Sequence, residues 1–357
     1  MIIETDGKVY HPLGGGSYVY EDCLISYLRS QLRKKEIRIS IGAQPNSSPH
    51  LGTLEVFCLA FATADMLKKF DSELKITVFF EMVDTAPATT EVIDGIKYQL
   101  NLKQHGELDQ YLEQYHEILN TLSAETGIGY QVRGQEEFNS QSSIPNIVKR
   151  VVENMEILAP ILEPQKHIVR IRVGCPVCGL TDKNGIKNEF IGNTLKAFCP
   201  KHGWFTVNIE QNASRLEFNT PVRNLIRGAA YMCDNINPDV VHEWLRITGT
   251  DYAGFYQEQL LYRAMDLIGY RVSQLPMILY APLVTDWSGA KLSKSLYVKQ
   301  GAYKYLPDYL IHYDNLRKHF GGTSGLLKIF SEVHSWLEEP YKLFRNYSVH
   351  YFEEVLK

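Results

Sequence analysis

Three clusters in this sequence carry residue types that can do chemistry. In the first, Pro49-His50-Leu51-Gly52-Thr53 follows the turn-rich stretch Gly42-Ala43-Gln44-Pro45-Asn46-Ser47-Ser48 and opens a helical pattern. The first N–H groups of a helix have no partner within it and attract phosphate. Gly52 has no side chain, so a base or ribose can lie directly on its backbone. His50 can hydrogen-bond a phosphate where negative charge develops in a transition state. The second cluster is Lys291-Leu292-Ser293-Lys294-Ser295, behind Trp287-Ser288-Gly289-Ala290. Two ammonium groups three residues apart on a Gly/Ser loop can close over a triphosphate and neutralise the departing pyrophosphate. A solvated basic loop is the plainer alternative. The third cluster pairs Cys175-Pro-Val-Cys178 with Cys199-Pro-Lys-His202, each followed by a glycine, Gly179 or Gly203. Three thiolates and one imidazole make a closed tetrahedral set, the pattern of structural Zn²⁺ rather than of a catalytic metal.

Elements must hold these clusters in place. Ile37–Ile41 has the composition of a short strand, a helical pattern runs from Gly52 to about Phe70, and Lys75–Met82 is a second strand. A strand–loop–helix–strand unit is the start of a doubly wound parallel sheet. Ligands bind such a sheet at the carboxyl ends of its strands. Residues 91–126 and 142–160 are expected to be mostly helical. Short strands are expected at Ile168–Val173 and Phe205–Ile209, a helix near 256–268, a buried strand at Pro276–Tyr280, and helix beyond 300. The expected organisation is residues 1–160 as the first half of a Rossmann-like catalytic domain and 161–212 as a zinc-ribbon insertion. Residues 213–300 form the second half and 301–357 a short helical tail.

Composition sets the class. The 357 residues are 45% hydrophobic and 22% charged, as in an ordinary globular protein, with a formal net charge of −4. That charge leaves no basic footprint of the kind nucleic-acid binders carry. No apolar run approaches the ~20 residues that span a bilayer. The N-terminus has no basic segment followed by an apolar one. A cytoplasmic protein without membrane contact is expected, and its clustered cysteines point to metal binding rather than disulfides.

The order of the clusters resembles the class I aminoacyl-tRNA synthetases, whose two signatures are written HIGH and KMSKS. Here they stand as His50-Leu51-Gly52-Thr53 and Lys291-Leu292-Ser293-Lys294-Ser295, with Thr53 and Leu292 as departures. The resemblance covers roughly residues 35–300. Its nearest form is the class I lysyl-tRNA synthetases, through the metal-binding insertion, Phe79-Phe80-Glu81-Met82-Val83-Asp84, and the Pro-x-Arg of Pro221-Val222-Arg223. It implies ATP with Mg²⁺ on its phosphates, bound by Gly42, Gln44, Gly52, Thr53, Gly249, Asp251 and Ser293, with Asp251 on the ribose. It makes His50, Lys291 and Lys294 catalytic. It also implies that the acidic residues of the second strand line the amino-acid pocket. From their chemistry alone, Glu81 and Asp84 suit an amine or a cationic side chain, or a salt bridge at a strand end. Arg223 suits a carboxylate or phosphate, or a surface pair.

The activity implied is ATP-dependent activation of an amino acid, lysine where the subfamily resemblance is followed, as its adenylate, with transfer of the aminoacyl group to the acceptor end of a tRNA. The lysyl enzymes also carry a large helical anticodon-binding domain, for which the 62 residues after Ser295 leave no room. The alternative is therefore a synthetase-derived ligase that passes the adenylate to a small amine, a carrier protein or a protein side chain. A non-catalytic nucleic-acid-binding module keeps the zinc ribbon but leaves the lysine loop unexplained.

Overall fold

A computed structural model describes residues 12–13, 23–106, 108–271, 274–292 and 303–357. Five strands form its central sheet: β1 (Glu36–Ala43), β2 (Lys75–Met82), β3 (Gly129–Arg133), β4 (His242–Gly249) and β5 (Ile278–Ala281). All pair in parallel in the order β5-β4-β1-β2-β3, and Pro12–Leu13 adds a short parallel piece outside β5. The chain winds outward from β1 to β3 on one side and restarts at β4 on the other. The fold is thus mixed α/β with a parallel sheet, and its switch point lies between β1 and β4.

Side-chain alternation divides the sheet between two cores. Ile37, Ile39 and Ile41 of β1, Phe80 of β2, and Leu245 and Ile247 of β4 belong to one. Phe79 of β2 and Trp244 of β4 belong to the other. Helix α1 (Leu51–Phe70) covers the first face. Its Leu54, Phe57, Cys58 and Phe61 recur at helical spacing and are all buried. Lys68 and Lys69 in its last turn complement the helix dipole. Helix α2 (Thr220–Ile236), begun by Pro221 in its first turn, covers the second face and buries Val222, Leu225, Ile226, Ala229 and Ala230.

The segment after 303 is built into the first core. Helix α3 (Ser324–Glu338) packs on α1, and Trp336 stacks on Tyr347 with ring centroids 4.4 Å apart. Tyr347–Ser348 also forms a short parallel strand with Val284–Thr285, which the sequence reading of a helical tail did not include. Residues 91–101 correct another expectation. They are not helical: Pro87–Ile93 and Ile96–Asn101 form an antiparallel hairpin closed by Asp94-Gly95, both at positive φ. Two residues at φ > 0 are what the tight hairpin turn requires, and Asp-Gly supplies them. The 256–268 helix is also irregular, with a π-helical Phe255–Tyr262 ahead of a short α-helix.

One buried group in α1 carries a pH signature. Glu55 is fully buried, and neither carboxyl oxygen has a hydrogen-bond partner among the described residues. Burial raises its carboxyl well above the usual range. The folded state therefore keeps a proton that the unfolded chain loses above ~4.3. Stability should fall as pH rises from there toward the folded value, by up to ~1.4 kcal/mol per pH unit. In Glu55→Gln that slope should be absent from denaturant melts taken across the pH series.

Candidate functional site

The carboxyl ends of β1 and β4 diverge at the switch point, and a cavity of about 320 Å³ opens there. It is lined by Gly42 and Gln44 at the carboxyl end of β1, by His50, Gly52 and Thr53 at the start of α1, by Gly249 and Asp251 at the carboxyl end of β4, and by Lys291. These are all the described residues that the sequence reading grouped around ATP or named catalytic. Ser293 and Lys294 lie outside the described residues.

Local geometry explains each placement. His50 is the N-cap of α1 in extended conformation, and its carbonyl accepts from Thr53 N at 2.8 Å and Leu54 N at 3.1 Å. Its side chain does not cap the helix. The ring lies against Gly52 instead, with Cε1 3.3 Å from the position a Cβ would take there. The loop is clamped from the C-terminal side. His50 forms a backbone bridge with His312, Tyr313 N donates to Pro49 O at 2.7 Å, and Asp314 N donates to Ser48 Oγ at 3.2 Å. Burial lowers the His312 imidazole below its usual range.

At the opposite wall, the Thr250 hydroxyl donates to Ala281 O at 2.6 Å and fixes the turn that carries Asp251. A Cβ at Gly249 would come within 2.5 Å of the Asp251 carboxylate, so a side chain there would push that carboxylate aside. Lys291 is set by the turn before it. The Asp286 carboxylate accepts from Ser288 N at 2.8 Å and Ser288 Oγ at 2.6 Å, while Leu292 N donates to Val284 O at 2.9 Å. Lys291 and Asp251 then form an ion pair across the mouth of the cavity, with both side chains partly exposed. Asp251 is the one carboxylate in the lining among the described residues.

A second cavity of about 140 Å³ adjoins the first and shares Gly42, Ala43, Gln44, Thr248 and Tyr252 with it. Its far wall holds three arginines: Arg223 and Arg227, one helical turn apart on α2, and Arg246 from β4. Arg223 is 7% exposed and Arg227 4%. Their polar partners are neutral: Arg246 donates to Asn224 Oδ1 at 3.1 Å and Arg223 to Thr220 Oγ1 at 3.4 Å. The Nε atoms of Arg223 and Arg227 have no hydrogen-bond partner among the described residues. Burial, then the neighbouring Arg227, pushes the Arg223 guanidinium down to about 10. Of this trio the sequence reading named only Arg223. The i, i+4 spacing of Arg223 and Arg227 was a usable signal. Arg246 required knowing that β4 is a buried strand.

The two acidic candidates, Glu81 and Asp84, line neither of these cavities. Glu81, 1% exposed, is paired with Arg133, whose Nε lies 3.1 Å from Oε2. It also accepts from Tyr231 OH at 2.8 Å, and that hydroxyl is in turn 2.7 Å from Ser40 Oγ. Glu81 is thereby spent in a buried network and lines neither cavity. Asp84 accepts from Gln135 N at 3.1 Å, and burial raises its carboxyl. It faces a different cavity of about 480 Å³, together with Glu217, Glu136 and Cys175.

The metal candidates converge. The ligand atoms of Cys175, Cys178, Cys199 and His202 all lie within 4.8 Å of one another. Three of the separations are 3.6 Å: Cys175 Sγ to His202 Nδ1, Cys178 Sγ to Cys199 Sγ, and Cys199 Sγ to His202 Nδ1. A tetrahedron with Zn–S near 2.3 Å has edges of ~3.7 Å, so the set fits zinc. Gly179 and Gly203 follow the two knuckles at φ +75° and +77°. Cys199-Pro-Lys-His202 is the turn of the hairpin formed by Thr194–Cys199 and Gly203–Asn208. Thr181–Asp182 pairs with Gln99 and Tyr98, so the hairpin at 87–101 packs with the metal loops. None of the described helices is long and apolar enough to cross a membrane.

The sequence matches no family model and no curated protein. Among solved structures, the chain is similar to an arginyl-tRNA synthetase of Plasmodium falciparum at 8% identity and a TM-score of 0.38, covering 93% of this chain and 57% of that one. It is similar to a glutamate-tRNA synthetase of Elizabethkingia anophelis at 12% identity and a TM-score of 0.35, covering 78% and 55%. An arginyl-tRNA synthetase of Thermus thermophilus gives 12% identity and a TM-score of 0.34, covering 93% and 64%. The chain thus spans between half and two thirds of the length of these proteins.

Proposed function

We propose that this chain is an ATP-dependent ligase that activates a carboxylic acid, in the first instance an amino acid, as its adenylate. One observation carries the reading. Segments far apart in the sequence, at Gly42–Thr53, Gly249–Asp251 and Lys291, line a single cavity at the switch point of a parallel sheet.

In this reading the triphosphate lies over the start of α1, where backbone N–H groups and His50 face it, and the ribose hydroxyls reach Asp251. ATP binding would part the Lys291–Asp251 pair and re-use both members, one on phosphate and one on ribose. A substrate carboxylate oxygen attacks the α-phosphorus in line, and the bond to the pyrophosphate oxygen breaks. His50, Lys291 and Lys294 stabilise the charge that builds on the phosphoryl oxygens and on the leaving group, with no proton shuttled. Mg²⁺, when bound, neutralises β- and γ-phosphate oxygens. A lining with a single carboxylate among the described residues suits an ion carried by the phosphates rather than caged by the protein. The Cys175/Cys178/Cys199/His202 set has no ligand to spare, so zinc there is structural.

In the second step a hydroxyl at the 3′ end of a tRNA attacks the acyl carbon of the adenylate, an ester forms, and AMP leaves. Purified protein, ATP and each candidate acid, with labelled pyrophosphate and with or without total tRNA, test both steps. Acid-dependent exchange together with label on RNA supports the full reading. Exchange without label on RNA moves the acceptor to an amine, a carrier protein or a protein side chain. No exchange with any acid would leave a nucleic-acid-binding or other non-catalytic role. Lys291→Ala is expected to lower kcat/KM for ATP about 10-fold, the scale of one charge-assisted contact. Its melting curve should be unchanged, because the ion pair it removes is solvent-exposed. An unaltered rate would detach Lys291 from the phosphates.

A further inference from the structure

The smaller cavity decides what kind of acid the site takes. We infer that it holds a second anionic group of the substrate, so that the acid activated is an acidic amino acid or a dicarboxylate-like molecule rather than lysine. The inference rests on the adenylation reading for the fate of the substrate, but the pocket itself is argued from its own chemistry.

Arg223, Arg227 and Arg246 converge on a cavity that adjoins the first, and among the described residues no carboxylate lines it. Buried cations are expected to be paired. The acid nearest in the network, Glu81, is bound to Arg133 and Tyr231. The three guanidiniums therefore repel one another across the cavity, and the Nε donors of two arginines that are more than nine-tenths buried have no acceptor among the described residues. An anion in the cavity removes both costs together. A guanidinium fork matches a carboxylate or a phosphate in two-point geometry. A lysine substrate would instead set its ammonium among three like charges.

The cavity's position fits a substrate with two acidic ends. Gly42 and Gln44 border both cavities, so a molecule anchored on the arginines reaches past β1 toward the α-phosphate position. The reacting carboxylate lies at one end and the recognised anion at the other.

Two assays on the full chain test the inference, both at fixed ionic strength in chloride. Thermal shift without ATP uses L-glutamate, L-aspartate, succinate and O-phospho-L-serine as anionic probes, against L-lysine and L-leucine. Pyrophosphate exchange uses the same set. Anionic probes are expected to raise Tm and to support exchange, with glutamate against phosphoserine distinguishing a carboxylate from a phosphate source. Arg227→Gln should raise KM for the preferred acid at least ~10-fold, the scale of lost hydrogen bonds to a charged group, with a smaller effect on kcat. Arg227→Lys, which keeps the charge but loses the fork, should fall between the two.

A Tm shift by anionic probes without any exchange would uphold the pocket and remove the adenylation reading. Exchange supported by lysine or leucine, with no anionic probe active in either assay, would overturn this inference and leave adenylation standing. No response to anionic probes in either assay also overturns it, whatever the variants do.

Discussion

Replacing His50 by alanine is expected to lower acid-dependent pyrophosphate exchange by about 100- to 1000-fold, the cost of one preorganised donor to a developing oxyanion. The expectation follows from how the ring is held. His50 caps α1 through its backbone while its side chain is left out of the capping role and lies against Gly52. The bridge to His312 and the bond from Tyr313 N to Pro49 O hold the loop from the far side. Little reorganisation is then needed when phosphate arrives, which is the condition under which a donor contributes most to a transition state. The loss should fall on kcat, with KM for ATP changed little, because the contact strengthens as charge develops. His50→Gln, which retains a donor, should recover part of the rate. The melting curve should not move, since the helix cap is made by backbone. Exchange within a few-fold of wild type in His50→Ala would remove the histidine from the reaction.

The grouping of these residues was legible because loops that bind phosphate use glycine and histidine in short, recognisable strings. The strand and helix that carry the first string are equally plain. Ile37, Ile39 and Ile41 alternate, and Leu54, Phe57, Cys58 and Phe61 repeat at helical spacing. The hairpin at 87–101 was missed although Thr89-Thr90-Glu91-Val92-Ile93-Asp94-Gly95-Ile96 contains the Asp-Gly turn between β-branched residues. That signal was present and outweighed by the long helical pattern behind it.

Other features were hidden for a different reason. β4 is His-Glu-Trp-Leu-Arg-Ile-Thr-Gly, with a charged residue inside a buried strand. Arg246 there makes sense only once α2 brings Arg223 and Arg227 opposite it. Glu81 shows the converse. A carboxylate at a strand end suggests a ligand, and nothing local reveals that Arg133, 52 residues on, already occupies it. Charge pairing across a sheet is a property of topology, and a linear pattern does not carry it.

Replacing Cys199 by serine is expected to release one zinc per chain and to unfold the metal-bearing segment. The small core there consists of Ile96, Tyr98, Leu180, Cys175 and Cys199, so two of its five buried members are themselves ligands. Too little apolar surface remains to order these loops once the metal is gone. Zinc binding by comparable small modules contributes ~10–16 kcal/mol at neutral pH, and a serine at a thiolate position forfeits much of that. Cys199 is the sharper choice over Cys178 because it is fully buried at the hairpin turn, with Gly203 as its cross-strand partner. The parallel sheet has its own two cores and shares neither of these ligands. The variant should therefore show metal content near zero by elemental analysis. The two metal loops, residues 175–182 and 199–203, should exchange their amide hydrogens rapidly, while α1 and β1 stay protected, and Leu195, Ala197 and Val207 stay anchored in the second core of the sheet. The same pattern should follow chelation of the wild-type protein. Full metal content with an unaltered melting curve would mean that the four side chains, though gathered within reach of one ion, do not hold one.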